Sequence, residues 1–211
     1  MNAFEPLPPR GLYAITDGPR NDLFAACTSA LEGGAAILQY RDKNTGRARR
    51  LQEARALQAL CKRHRVPLIV NDDIELAAAV GAAGVHLGEN DAAIESARAR
   101  LGETAIIGVS CYDSLAHARA AAAAGASYLA FGAFFASVTK PLARRAPVQL
   151  LRDAKPLGLP LVAIGGITPA NARELIDAGA DAIAVVSGLF GQPDVRAAAR
   201  HFAALFETAR S

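Results

Sequence analysis

Tryptophan is absent from the 211 residues, methionine occurs once and cysteine three times. Cys27, Cys61 and Cys111 are odd in number and widely spaced, with no CxxC and no zinc-ligand spacing. They read as free thiols in a reducing compartment, which makes the cytoplasm the expected location. No uninterrupted run of about 18 apolar residues occurs, so no membrane-spanning helix and no membrane partner is expected. The opening "MNAFEPLPPRG" lacks the apolar core of a secretory signal. No G-x-G-x-x-G follows the first strand-like run, which argues against a dinucleotide fold. A strong charge of one sign is also missing. Lys and Arg number 23 against 20 Asp and Glu, a net charge of +3, with a pI near 8.9. That excess is too small and too dispersed for a nucleic-acid surface, though it suits small anions.

What is present is a chain of 52% hydrophobic and 20% charged residues, the balance of a globular enzyme. One phrase recurs: "LEGGAAILQY" from 31, "VGAAGVHLG" from 80, "AAGASYLAFG" from 123 and "DAGADAIAVVSG" from 177. Each joins an Ala-rich helical segment, a glycine suited to the left-handed end of a helix, and a short apolar run. Such runs suit strands covered on both faces, as in a parallel sheet. Eight of them are found, at 12–16, 36–40, 68–71, 84–87, 105–110, 128–132, 161–165 and 182–187. Helical stretches alternate with them, including "TPANARELIDAG", where Thr168 can cap and Pro169 takes the first helical position. Eight strand–helix units predict an α/β fold, a (β/α)8 TIM barrel in one domain over 1–211 with residues 1–10 as an N-terminal extension. A doubly wound open sheet is the alternative. At about 26 residues per unit there is little room for a second domain.

Barrel enzymes place their chemistry at the C-terminal ends of the strands. There the second strand offers Gln39, Arg41 and Lys43 on one face. The third offers Asn71, Asp72 and Asp73, and the loop after the fourth has His86, Glu89 and Asp91. The fifth ends in Ser110, and the loop after the sixth carries Ser137, Thr139 and Lys140. The seventh ends in Gly165-Gly166 and the eighth in Ser187-Gly188. Glycines that expose backbone N–H groups suit a phosphate. Arg41, Lys43 and Lys140 suit a second, more highly charged anion. Carboxylates beside that anion need a cation between them. Oxygen ligands near phosphate favour Mg²⁺, so Asp72 and Asp91 are read as its ligands. Each signal has an ordinary alternative. Asp73 is read as a helix cap, Arg47, Arg49 and Arg50 as a solvated helix start, and His86 as a satisfied core histidine. Cys111 has no base in its neighbourhood and is not read as a nucleophile.

In order and spacing, "LYAITD", "QYRDK", "IVNDD", "GVHLGEND", "IGVSCYDS", "YLAFGAFFASVTK", "VAIGGITPANA" and "AVVSGLF" resemble the thiamine phosphate synthase (thiamine-phosphate pyrophosphorylase) family, over roughly residues 10–208. The resemblance implies a Mg²⁺-dependent condensation of 4-amino-2-methyl-5-hydroxymethylpyrimidine diphosphate with 4-methyl-5-(2-phosphoethyl)thiazole, releasing pyrophosphate. It implies that Gln39, Tyr40, Arg41, Asp42 and Lys43 bind the pyrimidine diphosphate, with Asn71, Ser110 and Lys140. It assigns Asp72 and Asp91 to Mg²⁺. Ser137, Val138, Thr139, Gly166, Val186 and Ser187 go to the thiazole phosphate. Arg41, Lys43, Ser110 and Lys140 are the expected catalytic groups. Ala136 and Val138 stand where the family usually carries proline, and Glu89 where it often carries glutamine. A thiazole tautomerase and a non-catalytic phosphate-binding barrel are the competing readings. The expected partners are these small molecules; a homo-oligomer is compatible with them.

Overall fold

The computed structural model describes residues 10–88, 92–136 and 145–207. Its strands are short and apolar: β1 (Gly11–Ile15), β2 (Ala35–Tyr40), β3 (Leu68–Asn71), β4 (Gly84–Leu87), β5 (Ile106–Tyr112), β6 (Tyr128–Phe131), β7 (Leu161–Ile164) and β8 (Ala182–Val185). They pair in parallel in chain order and close, β1 bonding to β8, into the expected eight-stranded barrel. Helices α1 (Leu23–Glu32), α2 (Arg47–His64), α3 (Ile74–Val80), α4 (Ala92–Leu101), α5 (Leu115–Ala123), α6 (Gln149–Ala154), α7 (Pro169–Asp177), α8 (Ser187–Phe190) and α9 (Val195–Glu207) alternate with the strands. No helix among the described residues is long and apolar enough to cross a membrane.

Side-chain alternation divides the apolar residues into two cores. Tyr13, Ile15, Ile37, Ile69, Ile106, Tyr128 and Val162 meet inside the barrel. Leu12, Leu38, Tyr40, Val70, Val85, Val109 and Phe131 point outward and pack with the helices. This parity decides which strand-end residues face the mouth. Gln39 and Ile37 share one face of β2, while Tyr40 and Leu38 share the other.

The helix ends follow local chemistry. Asp73 accepts from Leu76 N at 2.8 Å and caps α3, as its sequence position suggests. Gly81 closes α3 in the left-handed conformation (φ 62°), where a side chain would be strained. At α5 and α7 the cap residues are Ala124 and Ala178, both right-handed. The strand boundaries agree with expectation to within one residue except at two ends. β5 continues past Ser110, with a register shift against β6 between Ser110 and Tyr112. Ser187 is the first residue of α8 rather than the last of β8.

Candidate active site

The ends of β2 and β3 lie side by side at the C-terminal mouth, and local bonds set each functional side chain there. Thr16, buried at the end of β1, grips the main chain of Arg41 in both directions. Arg41 N donates to its hydroxyl at 2.8 Å, and that hydroxyl donates to Arg41 O at 3.1 Å. Asp42 folds the following turn by accepting from Asn44 N (2.8 Å), Thr45 N (3.0 Å) and the Thr45 hydroxyl (2.9 Å). Burial works to raise its carboxyl, and these bonds outweigh it, leaving Asp42 below the ordinary carboxylate value. The turn delivers Lys43, whose Nζ lies 3.1 Å from the Asp72 carboxylate.

Asp72 is held in the left-handed region (φ 61°), with its N–H donating to His86 O at 2.8 Å. Backbone strain of this kind is typical of functional positions. Asn71 is half-buried beside it. Asp73 caps α3 and pairs with Arg50 at 3.0 Å, and both line the same mouth. An open cavity of about 610 Å³ lies here, lined by Lys43, Asn71, Asp72, Arg50, Ser96 and Arg100 among others.

Deeper in the barrel runs a chain of five polar groups. Gln39 Nε2 donates to Tyr13 Oη (2.7 Å), and Tyr13 Oη meets Tyr128 Oη (2.8 Å). Tyr128 Oη meets His86 Nδ1 (2.9 Å), and His86 Nε2 meets Ser110 Oγ (2.9 Å). Burial pushes the His86 ring down to about 4, against a smaller upward pull from the charge of Asp72. Both tyrosines are pushed up by burial. Every member of the chain is therefore neutral near pH 7.

On the far side, Gly165 and Gly166 follow β7 with φ of 107° and 64°. A Cβ on Gly166 would stand 2.4 Å from Ala136 O and 2.6 Å from Phe135 O, so the glycine is demanded by the neighbouring main chain. Asn171 Nδ2 donates to Gly166 O at 3.2 Å and Asn171 Oδ1 accepts from Thr168 N at 2.8 Å, which ties this turn to the start of α7. Val186 and Ser187 sit at the entry to α8, in the part of a barrel that commonly receives phosphate.

The structure thus gathers Gln39, Arg41, Lys43, Asn71, Asp72, Ser110, Gly166, Val186 and Ser187 at one end of the barrel. One expected contact is corrected. The Tyr40 side chain lies on the outward parity of β2, buried against α2, with its hydroxyl on Glu53 at 2.7 Å, so it does not face the mouth. The Asp42 carboxylate holds its own turn, and the residue also lines the cavity at the mouth. Asp91, Ser137, Val138, Thr139 and Lys140, and with them the reading of Glu89, lie outside the described residues. The sequence reading missed Thr16, Tyr13, Tyr128, Arg50 and the bonds of His86. Their signals were weak, since a threonine, two tyrosines and a histidine on apolar strands look like core.

Comparison with known proteins extends these observations. The family model described as thiamine monophosphate synthase matches residues 12–189. A thiamine-phosphate synthase of Nitrosococcus oceani is 57% identical over 194 residues, covering 90% of this chain and 89% of the relative. One from Chromobacterium violaceum is 56% identical, covering 95% and 99%. Among solved structures, the thiamine phosphate pyrophosphorylase of Pyrococcus furiosus superposes with a TM-score of 0.85 at 36% identity, covering 95% of this chain and 97% of that one. Since the matched stretch runs from β1 into α8, and so takes in all eight strand ends, the chain belongs to the thiamine monophosphate synthase family.

Proposed function

We propose that the chain joins 4-amino-2-methyl-5-hydroxymethylpyrimidine diphosphate to 4-methyl-5-(2-phosphoethyl)thiazole, forming thiamine phosphate and pyrophosphate. The observation that carries this reading is the Lys43–Asp72 pair, 3.1 Å apart at the mouth, on strands adjoining the buried Gln39–Ser110 chain. A cation and a metal-type carboxylate beside neutral hydrogen-bonding groups suit a substrate with a charged tail and a neutral aromatic head.

In the reaction the bond from the pyrimidine methylene to the diphosphate oxygen breaks, the thiazole nitrogen supplies the electron pair for the new C–N bond, and pyrophosphate departs. No proton need be abstracted from carbon, which agrees with a site whose histidine is neutral and has both ring nitrogens engaged. Arg41 and Lys43, with Lys140 from the sixth loop, neutralise charge on the leaving group. Gln39, Asn71 and Ser110 seat the pyrimidine. Gly166, Val186 and Ser187, with Ser137, Val138 and Thr139, seat the thiazole phosphate and hold its ring nitrogen toward the methylene.

The donors present fit Mg²⁺. Asp72 is half-exposed, and no cluster of three or more His, Cys, Asp or Glu suited to a metal occurs among the described residues. Mg²⁺ asks for no such cage, since one or two carboxylates suffice when phosphate oxygens and water complete the shell. Asp72 and Asp91 would hold it, and when bound it supplies charge neutralisation at the diphosphate.

The test is pyrophosphate release with both substrates and Mg²⁺, followed against controls lacking each component. Release that requires all three supports the proposal. Isomerisation of a thiazole phosphate without pyrophosphate would indicate the tautomerase instead, and binding without turnover a silent barrel.

A further inference from the structure

The five-membered chain inside the barrel has a direction. An amide nitrogen only donates, so Tyr13 Oη accepts from Gln39 Nε2 (2.7 Å). A phenol has one hydrogen, and either tyrosine could donate across the 2.8 Å between their hydroxyls; with Tyr13 Oη already accepting from Gln39, its own hydrogen finds an acceptor in Tyr128 Oη. Tyr128 must then give its hydrogen to His86 Nδ1 (2.9 Å). A doubly protonated ring would leave the Tyr128 hydrogen facing another hydrogen in a fully buried place, so the ring is neutral. With Nδ1 accepting, the ring proton sits on Nε2 and is donated to Ser110 Oγ (2.9 Å). Ser110 accepts there, and its own hydrogen is free for the mouth. Only one other polarity is self-consistent. If the Gln39 amide is turned over, every member reverses together: Ser110 then donates its hydrogen to His86 Nε2 and offers the mouth only an acceptor.

The chain is built for this. Tyr128 stacks on His86 with centroids 5.6 Å apart and meets Tyr13 edge-on at 6.0 Å. The space for its ring comes from Gly108 on β5, where a Cβ would fall 1.9 Å from Tyr128 Cζ.

We propose that Gln39, Tyr13, Tyr128, His86 and Ser110 form a one-way hydrogen-bond relay that presents one acceptor, Gln39 Oε1, and one donor, the Ser110 hydroxyl, to the substrate ring. Tyr13, Tyr128 and His86 are then positioning residues that act through the two ends. The inference rests on the reading that Gln39 and Ser110 seat the pyrimidine. It deepens that reading by stating what they select. An aminopyrimidine offers a donating amino group beside an accepting ring nitrogen, which complements the relay. The corresponding oxo-pyrimidine offers the opposite pattern and is refused, because accepting it would require turning over all five groups.

The first experiment needs no substrate. ¹⁵N NMR of histidine-labelled protein reports the His86 tautomer, assigned by comparison with His86→Asn. The Nε2–H form is expected, and the Nδ1–H form would overturn the proposal. The second uses Tyr13→Phe, Tyr128→Phe and the double variant, which keep the rings and delete hydroxyls. Each single change should raise KM for the pyrimidine diphosphate about tenfold and leave KM for the thiazole phosphate unchanged. The double variant should be no worse than the worse single one, because one cut already breaks the relay. Additive effects, or equal rises in both KM values, would sink the relay. Should Tyr128→Phe fail to fold, the wild-type spectrum and Tyr13→Phe still decide. An Nε2–H tautomer in a protein that releases no pyrophosphate would instead count against the proposed reaction alone.

Discussion

Asp72 shows how much one residue is asked to do. It occupies a left-handed backbone position, faces Lys43, and carries the charge assigned to Mg²⁺. Asn enters the left-handed region as readily as Asp does. Asp72→Asn should therefore fold normally, with Tm within about 2 °C of wild type. Pyrophosphate release should fall by about a hundredfold or more. Retained turnover at limiting Mg²⁺ would remove Asp72 from the metal site. His86 leads to a second expectation. Burial holds its ring down to about 4 from an ordinary 6.5, so between those values the unfolded chain binds a proton that the folded chain refuses. The stability due to neutral His86 is complete above pH 6.5 and declines as pH falls toward 4, with no further change below. The full loss is on the order of 3 kcal/mol. Urea unfolding at pH 7 and pH 4.5 should show wild type losing more than His86→Asn; equal losses would contradict the assignment. At this scale the sequence was readable where chemistry breaks pattern. Asn71 and Asp72 interrupt an apolar run, and Gln39, Arg41 and Lys43 alternate. Tyr13, Tyr128 and Thr16 break no pattern. Their partners lie as far as 115 residues away, a distance no local periodicity reports.

An element is only as well placed as its ends. α3 begins at Asp73, which both caps the helix and pairs with Arg50 of α2, each carboxylate and guanidinium about a quarter exposed. Asp73→Asn keeps a cap oxygen and deletes the ion pair, while Asp73→Ala deletes both. Urea unfolding should show a loss of about 1–2 kcal/mol for Ala and under about 1 kcal/mol for Asn. Equal losses would mean that the cap adds nothing. The turn after β7 corrects a simpler intuition. From sequence alone, enlarging Gly166 promises a selective block of phosphate. The positive φ and the carbonyls of Phe135 and Ala136 within 3 Å of any Cβ make it a backbone change instead. Gly166→Val should lower Tm by several degrees and impair use of both substrates, whereas Ser187→Ala should raise KM for the thiazole phosphate with Tm unchanged. Thermal melts beside two-substrate kinetics separate these outcomes. The recurring helix–glycine–strand phrase revealed the elements because every barrel strand must be apolar on both faces. It did not reveal that Ser187 opens a helix, since "AVVSGLF" stays apolar across that boundary.

The whole molecule is defined by a closure that no single unit contains. β1 pairs with β8, so Leu12 meets Ile183 and Tyr13 meets Ala184. α9 completes the seam by packing on α1, where a Cβ on Gly33 would stand 2.5 Å from Ala199 Cβ. A chain cut after residue 179 would keep seven strands and expose two of them as edges, the pairing surfaces that lead to aggregation. Such a fragment should lack a cooperative melt and elute as large aggregates in size-exclusion chromatography; a soluble, cooperative fragment would show that closure is dispensable. The same seam bears on how the protein is made. A ribosome delivers β1 first and β8 some 170 residues later, which at about 5–20 residues per second is a delay of roughly ten to thirty seconds. Throughout that interval the first strand has only β2 beside it, and the strand synthesised first is the last to be enclosed.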